Sequence, residues 1–196
     1  FSQSITVDFE NPVLIETTWD GTAWSNGEPF FGHKAIIDGD LVLTQQLLAC
    51  ELEITANGSL TVQANADVGI VGKITNNATA TDFMVENDGR VLQLNSVANE
   101  GPATVKRNSS NLWRQDYTLW SSPVSGQNLR AFSPQTLYNR FSSYDSSLGI
   151  NGDYVQEIVT TQDMNTKLFD LAKGYLIRMP NNWVMNGEGP AAAYEG

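Results

Sequence analysis

From about residue 35 to 105, short β-branched runs alternate apolar and polar positions and are broken by Gly, Asn and Asp. Ala35-Ile36-Ile37 is followed by Asp38-Gly39-Asp40 and then by Leu41-Val42-Leu43. Leu52-Glu53-Ile54-Thr55 leads through Asn57-Gly58 into Ser59-Leu60-Thr61-Val62. Phe83-Met84-Val85 leads through Asn87-Asp88-Gly89 into Arg90-Val91-Leu92-Gln93-Leu94. A period of two marks strands that bury one face. Residues 54–60 and 85–91 share one pattern of strand end, Asn/Asp-Gly corner and strand. Two architectures fit it. The corners are either two-residue hairpins of an antiparallel meander, or bends between faces of a right-handed parallel β-solenoid whose strands stack rung upon rung. Gly39, Gly58, Gly72 and Gly89 are unevenly spaced, and residues 75–81 are small and polar. Both features suit degenerate coils, so the solenoid is the expectation.

The flanking segments differ. Residues 1–34 are aromatic and irregular, with turn signals at Asp20-Gly21, Asn26-Gly27 and Phe31-Gly32. After 105 come Lys106, Arg107, Arg114, Arg130 and Arg140, prolines at 123, 134, 180 and 190, and Trp113 and Trp120. Strands are expected over 113–120, 154–161 and 174–179, with a helical turn within 163–172. The predicted organisation is all-β: a solenoid-like unit over 1–104 with an aromatic N-terminal cap, then a β-sandwich-like unit over 105–196, expected to be truncated at its C-terminal end.

Composition supports β structure. Charged residues make up only 17% while 41% are hydrophobic, including five Trp, six Tyr and eight Phe, so a real core is available. The 11 Lys and Arg against 22 Asp and Glu give a net charge of −11, which repels nucleic acid and anionic lipid. The single Cys50 permits no internal disulfide and no Cys-based zinc site, and its apolar surroundings Leu47-Leu48-Ala49 fit an inert thiol. Nothing approaches the roughly 20 apolar residues of a membrane span, so membrane insertion is not expected. Phe1-Ser2-Gln3-Ser4 has neither a basic start nor an apolar run, which reads as a mature form or a fragment.

Catalytic patterns are sparse. The only histidine, His33, lies in an aromatic turn, and neither a Gly-x-Ser-x-Gly elbow nor a phosphate-binding glycine loop occurs. Asp38 with Asp40, or Glu51 with Glu53, could serve as paired carboxylates, but a solvated stripe explains them equally. Asp38-Gly39-Asp40 and Asn87-Asp88-Gly89 offer hard oxygen ligands for calcium, although turn chemistry alone accounts for Asp and Asn there. The chain reads as non-catalytic, with no obligatory cofactor.

Several stretches carry a resemblance. They are Thr18-Trp19-Asp20-Gly21-Thr22-Ala23-Trp24-Ser25-Asn26-Gly27-Glu28-Pro29, then Val105-Lys106-Arg107-Asn108, then Asp116-Tyr117-Thr118-Leu119-Trp120-Ser121-Ser122-Pro123-Val124-Ser125-Gly126. Phe132-Ser133-Pro134, Asn139-Arg140-Phe141 and Lys173-Gly174-Tyr175-Leu176-Ile177-Arg178-Met179-Pro180 complete the set. Together they resemble modules of large secreted surface proteins of Bacteroidetes, including gliding-motility adhesins. The resemblance implies export by the type IX secretion translocon and display on the outside of the cell. The C-terminal sorting domain of such proteins is not found in the sequence.

Trp19 and Trp24 flank a turn, where they either cap an open solenoid end or offer ring faces to sugars. Trp19, Trp24, Trp113 and Trp183 are the ligand-contact candidates. The expected function is adhesion to a polysaccharide or another cell-surface ligand. A stalk or spacer, and an accessory domain of a polysaccharide-degrading enzyme, are the alternatives.

Overall fold

A computed structural model describes residues 14–196. The reading of Phe1-Ser2-Gln3-Ser4 and the start of the 1–104 segment lie outside the described residues. The chain is nearly all-β and divides into two units, Phe1–Thr104 and Val105–Gly196.

The first unit is a parallel β-solenoid of about five turns. Its strands are β1 (Ile15–Trp19), β2 (His33–Ile37), β3 (Asp40–Leu43), β4 (Gln46–Ala49), β5 (Glu51–Ile54), β6 (Ser59–Val62), β7 (Asp67–Ile70), β8 (Ile74–Asn76), β9 (Phe83–Val85) and β10 (Arg90–Gln93). A short β11 (Thr104–Val105) follows, its Thr104 hydroxyl donating to Ala80 O at 2.8 Å. Three faces stack in the orders β1-β2-β5-β8, β3-β6-β9 and β4-β7-β10, every recorded ladder being parallel. Inward positions align as apolar columns: Ala35, Leu52 and Ile74 on one face, and Leu43, Val62 and Val85 on another. Truncating a buried leucine such as Leu60 to alanine would cost about 2–5 kcal/mol.

The Asn/Asp-Gly signals are coil corners rather than hairpins. A type I′ hairpin needs positive φ at both central residues. Neither Gly58 nor Gly89 has one. A Cβ on Gly58 would lie 2.1 Å from Ile37 O, and one on Gly89 2.7 Å from Val62 O, so each glycine lets its corner seat against the coil beneath.

The second unit holds β12 (Asn108–Leu112), β13 (Tyr117–Trp120), a short α1 (Leu129–Phe132), β14 (Phe141–Asp145), β15 (Asp153–Gln156), α2 (Asp163–Thr166), β16 (Tyr175–Arg178) and β17 (Ala192–Glu195). Two antiparallel sheets form the sandwich-like arrangement, one of β12 with β17 and one ordered β13-β16-β14-β15. Leu129, Phe141, Ile158, Phe169, Tyr175 and Ile177 build the core, with Trp120, Phe132 and Met164 packed against it. Tyr194 of β17 meets Trp120 at 6.1 Å and Phe132 at 5.9 Å between ring centroids.

Strand bounds are shorter than the pattern predicts. Residues 113–116 form a turn closed by Asp116 N–H on Trp113 O at 3.0 Å, so only Tyr117–Trp120 is extended. The 154–161 stretch stops at Gln156, and helix within 163–172 ends at Thr166.

Candidate functional site

Trp19 ends β1, and the chain turns back at once. The Asp20 carboxylate accepts from Thr22 N–H at 2.8 Å and Ala23 N–H at 2.9 Å, and Gly21 supplies a φ of +100°. These hydrogen bonds, that of Ala23 foremost, hold the Asp20 carboxyl below its ordinary value. Ser25 N–H then donates to Thr18 O at 2.9 Å, which sets Trp24 beside Trp19 with ring centroids 5.7 Å apart and planes tilted by 56°. Both tryptophans are half-buried.

The turn docks on an open strand edge. Strands β3 and β4 each begin their sheet and so have a ladder partner on one side only. Ser59 N–H bonds Gly39 O and Gln63 N–H bonds Leu43 O, so the carbonyls of Asp40 and Val42, alternating with these, face away from β6. The Trp19 indole N–H takes the Asp40 carbonyl at 3.0 Å. This hydrogen bond covers only the start of the edge.

Beyond it runs a groove of about 280 Å³ between Trp19, Trp24, Glu28 and Pro29 on one side and residues 41–47 on the other. Val42 stands 60% exposed in it. Thr44, Gln45, Gln46 and Glu28 supply neutral amides, a hydroxyl and one carboxylate, and the lining holds no lysine or arginine. Such a surface offers ring faces to C–H groups and mixed donors and acceptors to hydroxyls.

The other candidate tryptophans lie in the second unit. The Trp183 indole N–H donates to Leu112 O at 3.1 Å, and its ring stands 5.5 Å from Tyr194. Trp113, the residue after β12, donates to Gly189 O at 3.3 Å and walls a depression of about 200 Å³ with Gln115, Asp116, Met185 and Asn186. The structure thus brings Trp19 to Trp24 and gathers Trp113 and Trp183 at the end of β12, each pair within its own unit.

Three of the four candidate carboxylates, Asp38, Asp40 and Glu53, are already engaged. Asp38 accepts from Thr55 Oγ1 at 2.5 Å and Asp40 from Ser59 Oγ at 2.8 Å, each bond tying one coil to the next. Glu53 meets Lys34 Nζ at 2.7 Å and Asn77 Nδ2 at 2.9 Å, and that bond to Glu53 raises the Lys34 ammonium above its ordinary value. His33 is buried with its ring 4.0 Å from Phe30. Among the described residues, no group of three or more His, Cys, Asp or Glu is placed to hold a metal ion, and no helix is long and apolar enough to cross a membrane.

The tyrosines at 117, 144 and 154 were missed as contact candidates although they are 40%, 51% and 50% exposed. Their sequence signal is apolar residues on both faces of a strand, as in Tyr117-Thr118-Leu119-Trp120 and Tyr175-Leu176-Ile177-Arg178.

One family model, described as Domain of unknown function (DUF8693), matches residues 15–196. No curated protein and no solved structure matches the chain.

Proposed function

The chain belongs to the family Domain of unknown function (DUF8693), whose description assigns no activity, and we propose that it is a non-catalytic binding module of a larger secreted bacterial surface protein. Its ligand in this reading is polysaccharide, gripped in the groove beside Trp19 and Trp24. The observation that carries the reading is this half-exposed tryptophan pair over an open strand edge, rimmed by neutral hydrogen-bonding groups and the single Glu28 carboxylate. The resemblance of the 18–29 and 116–126 motifs to exported Bacteroidetes surface modules supports an extracellular setting and passage through the type IX translocon.

A second reading, a spacer, has its own support. Parallel coils whose side chains bond rung to rung, as Asp38 to Thr55 and Asp40 to Ser59, suit a stiff stalk.

Affinity electrophoresis through gels holding bacterial, algal and host polysaccharides separates the two, with reducing ends and unsaturated uronates assayed alongside. Retardation without product, weakened in Trp24→Ala, is the expected result. Free migration in every gel would leave the spacer, and released product would overturn the non-catalytic reading.

A further inference from the structure

The four-stranded sheet of the second unit buries one face and leaves the other open. Tyr175, Ile177, Phe141 and Ser143 point into the core, at 0–5% exposure. The alternate positions should then be polar in a half-solvated antiparallel sheet. They are not. Leu119 stands directly opposite Leu176, Tyr117 opposite Arg178, and Tyr144 opposite Tyr154. Leu119 is 66% exposed, and the three tyrosines are 40–51% exposed.

The rings are held in place. Tyr144 and Tyr154 pack edge to face with centroids 5.5 Å apart, and the Tyr144 hydroxyl donates to Asn151 O. The hydroxyls of Tyr117 and Tyr154 have no hydrogen-bond partner among the described residues. Register sets the spacing: Leu119 and Ser142 share a row through Leu176, with Tyr117 two residues to one side and Tyr144 two residues to the other. The aromatic ends of the face are therefore about 13 Å apart along the strands, with leucines between.

We infer that this face is a second polysaccharide platform, taking a linear, uncharged stretch of several pyranose units. The inference rests on the polysaccharide reading of function, and it adds a site in a different unit. Three observations select the occupant. Four strands about 4.8 Å apart, each giving about four residues, cover on the order of 250 Å², well short of the roughly 800 Å² per partner of a stable protein interface. A second copy of the chain is therefore a poor fit. The net charge of −11 disfavours uronate or sulfated polymers. Ring faces beside unpaired hydroxyls match a sugar's C–H face and its hydroxyls together, and aromatic residues at both ends fit a chain better than a single sugar.

The test titrates the full chain with linear β-glucan and with mannan, using alginate as the acidic comparison. Five proteins are compared: the wild type, Tyr117→Ala/Tyr154→Ala, Tyr117→Phe/Tyr154→Phe, Leu119→Ser and Trp24→Ala. The alanine pair should lose affinity on the order of tenfold, because each truncation removes one stacking contact, while the melting midpoint falls only by the few degrees that the lost Tyr144–Tyr154 packing accounts for. The phenylalanine pair should lose less, and Leu119→Ser, at a position exposed enough not to disturb folding, should weaken binding as well. Alanine and serine variants that bind like wild type, while Trp24→Ala weakens binding, would overturn the platform and leave the proposed function standing. Wild type that binds neither neutral polymer would overturn both. Preference for alginate would overturn the uncharged ligand, and a dimer that dissociates in Leu119→Ser would make the occupant a second copy.

Discussion

At Trp19 two roles meet in one side chain. Its ring walls the groove while its indole N–H closes the Asp40 carbonyl. Trp19→Phe keeps a ring and loses the hydrogen bond, so it should destabilise the first unit by about 1 kcal/mol. Trp19→Ala should cost about 3 kcal/mol through lost packing as well. Chemical denaturation followed by circular dichroism reads the difference, and equal losses would mean the hydrogen bond contributes nothing. Gly58 sets a second contrast, with Gly27. Gly58→Ala forces a Cβ onto Ile37 O and should cost more than about 2 kcal/mol. Gly27 has φ +78° with open space around it, so Gly27→Ala should cost about 1 kcal/mol of backbone strain only. The glycine corners were legible in the sequence, and their uneven spacing pointed to coils, but the local motif alone did not decide. Asn57-Gly58 reads the same locally in a hairpin and in a coil corner, and the deciding contact is with Ile37 on the preceding coil.

Among the elements, β2, β3, β5, β6, β9 and β10 were legible as short runs alternating apolar and polar residues, whereas β1, β4, β7 and β8 were not, β1 lying in the stretch read as irregular and β8 entering the small, polar 75–81 run. β12 and β17 were not, because Asn108-Ser109-Ser110-Asn111-Leu112 and Ala192-Ala193-Tyr194-Glu195 lack β-branched residues and are extended by pairing with each other. β14 escaped for a related reason, its Phe141-Ser142-Ser143-Tyr144-Asp145 being held between β15 and β16. The segment after β15 is fixed by Glu157, a nearly buried carboxylate that meets Lys167 at 2.6 Å, Lys173 at 3.1 Å and Ser143 Oγ at 2.5 Å. Burial pushes this carboxyl up, but the hydrogen bonds from Lys167, Ser143 and Lys173 outweigh it and hold it below the ordinary 4.5. A carboxyl depressed on folding adds stability that is present above its unfolded value and lost as pH falls through its folded one. Stability should therefore drop as pH falls below 4.5. Glu157→Gln should flatten that decline and lower stability at neutral pH by about 1–2 kcal/mol, the two lysines being over a third exposed and free to rehydrate. Denaturant titrations of both proteins across pH 3–7 measure this, and parallel curves would remove Glu157 from the explanation.

Across the whole molecule, the proposed reading assigns the aromatic surfaces of both units to one kind of ligand, an uncharged polysaccharide. The tryptophan pair was visible as Trp19-Asp20-Gly21-Thr22-Ala23-Trp24, since turn residues between two large rings force them together. The tyrosine face was not, because it is assembled from strands far apart in sequence through the register of β13, β16, β14 and β15. If stacking and neutral hydrogen bonds dominate, raising salt from about 0.05 to about 0.5 M should change polysaccharide affinity less than about twofold, since only charge–charge attraction is screened. A steep fall with salt would point instead to a charged ligand. The most direct measurement is co-sedimentation of the purified chain with an insoluble neutral polysaccharide, with the supernatant assayed for released sugar. Saturable binding that weakens in Trp24→Ala, with no sugar released, is the outcome expected of a binding module. Wild-type protein left wholly in the supernatant, or sugar appearing there with time, would contradict it.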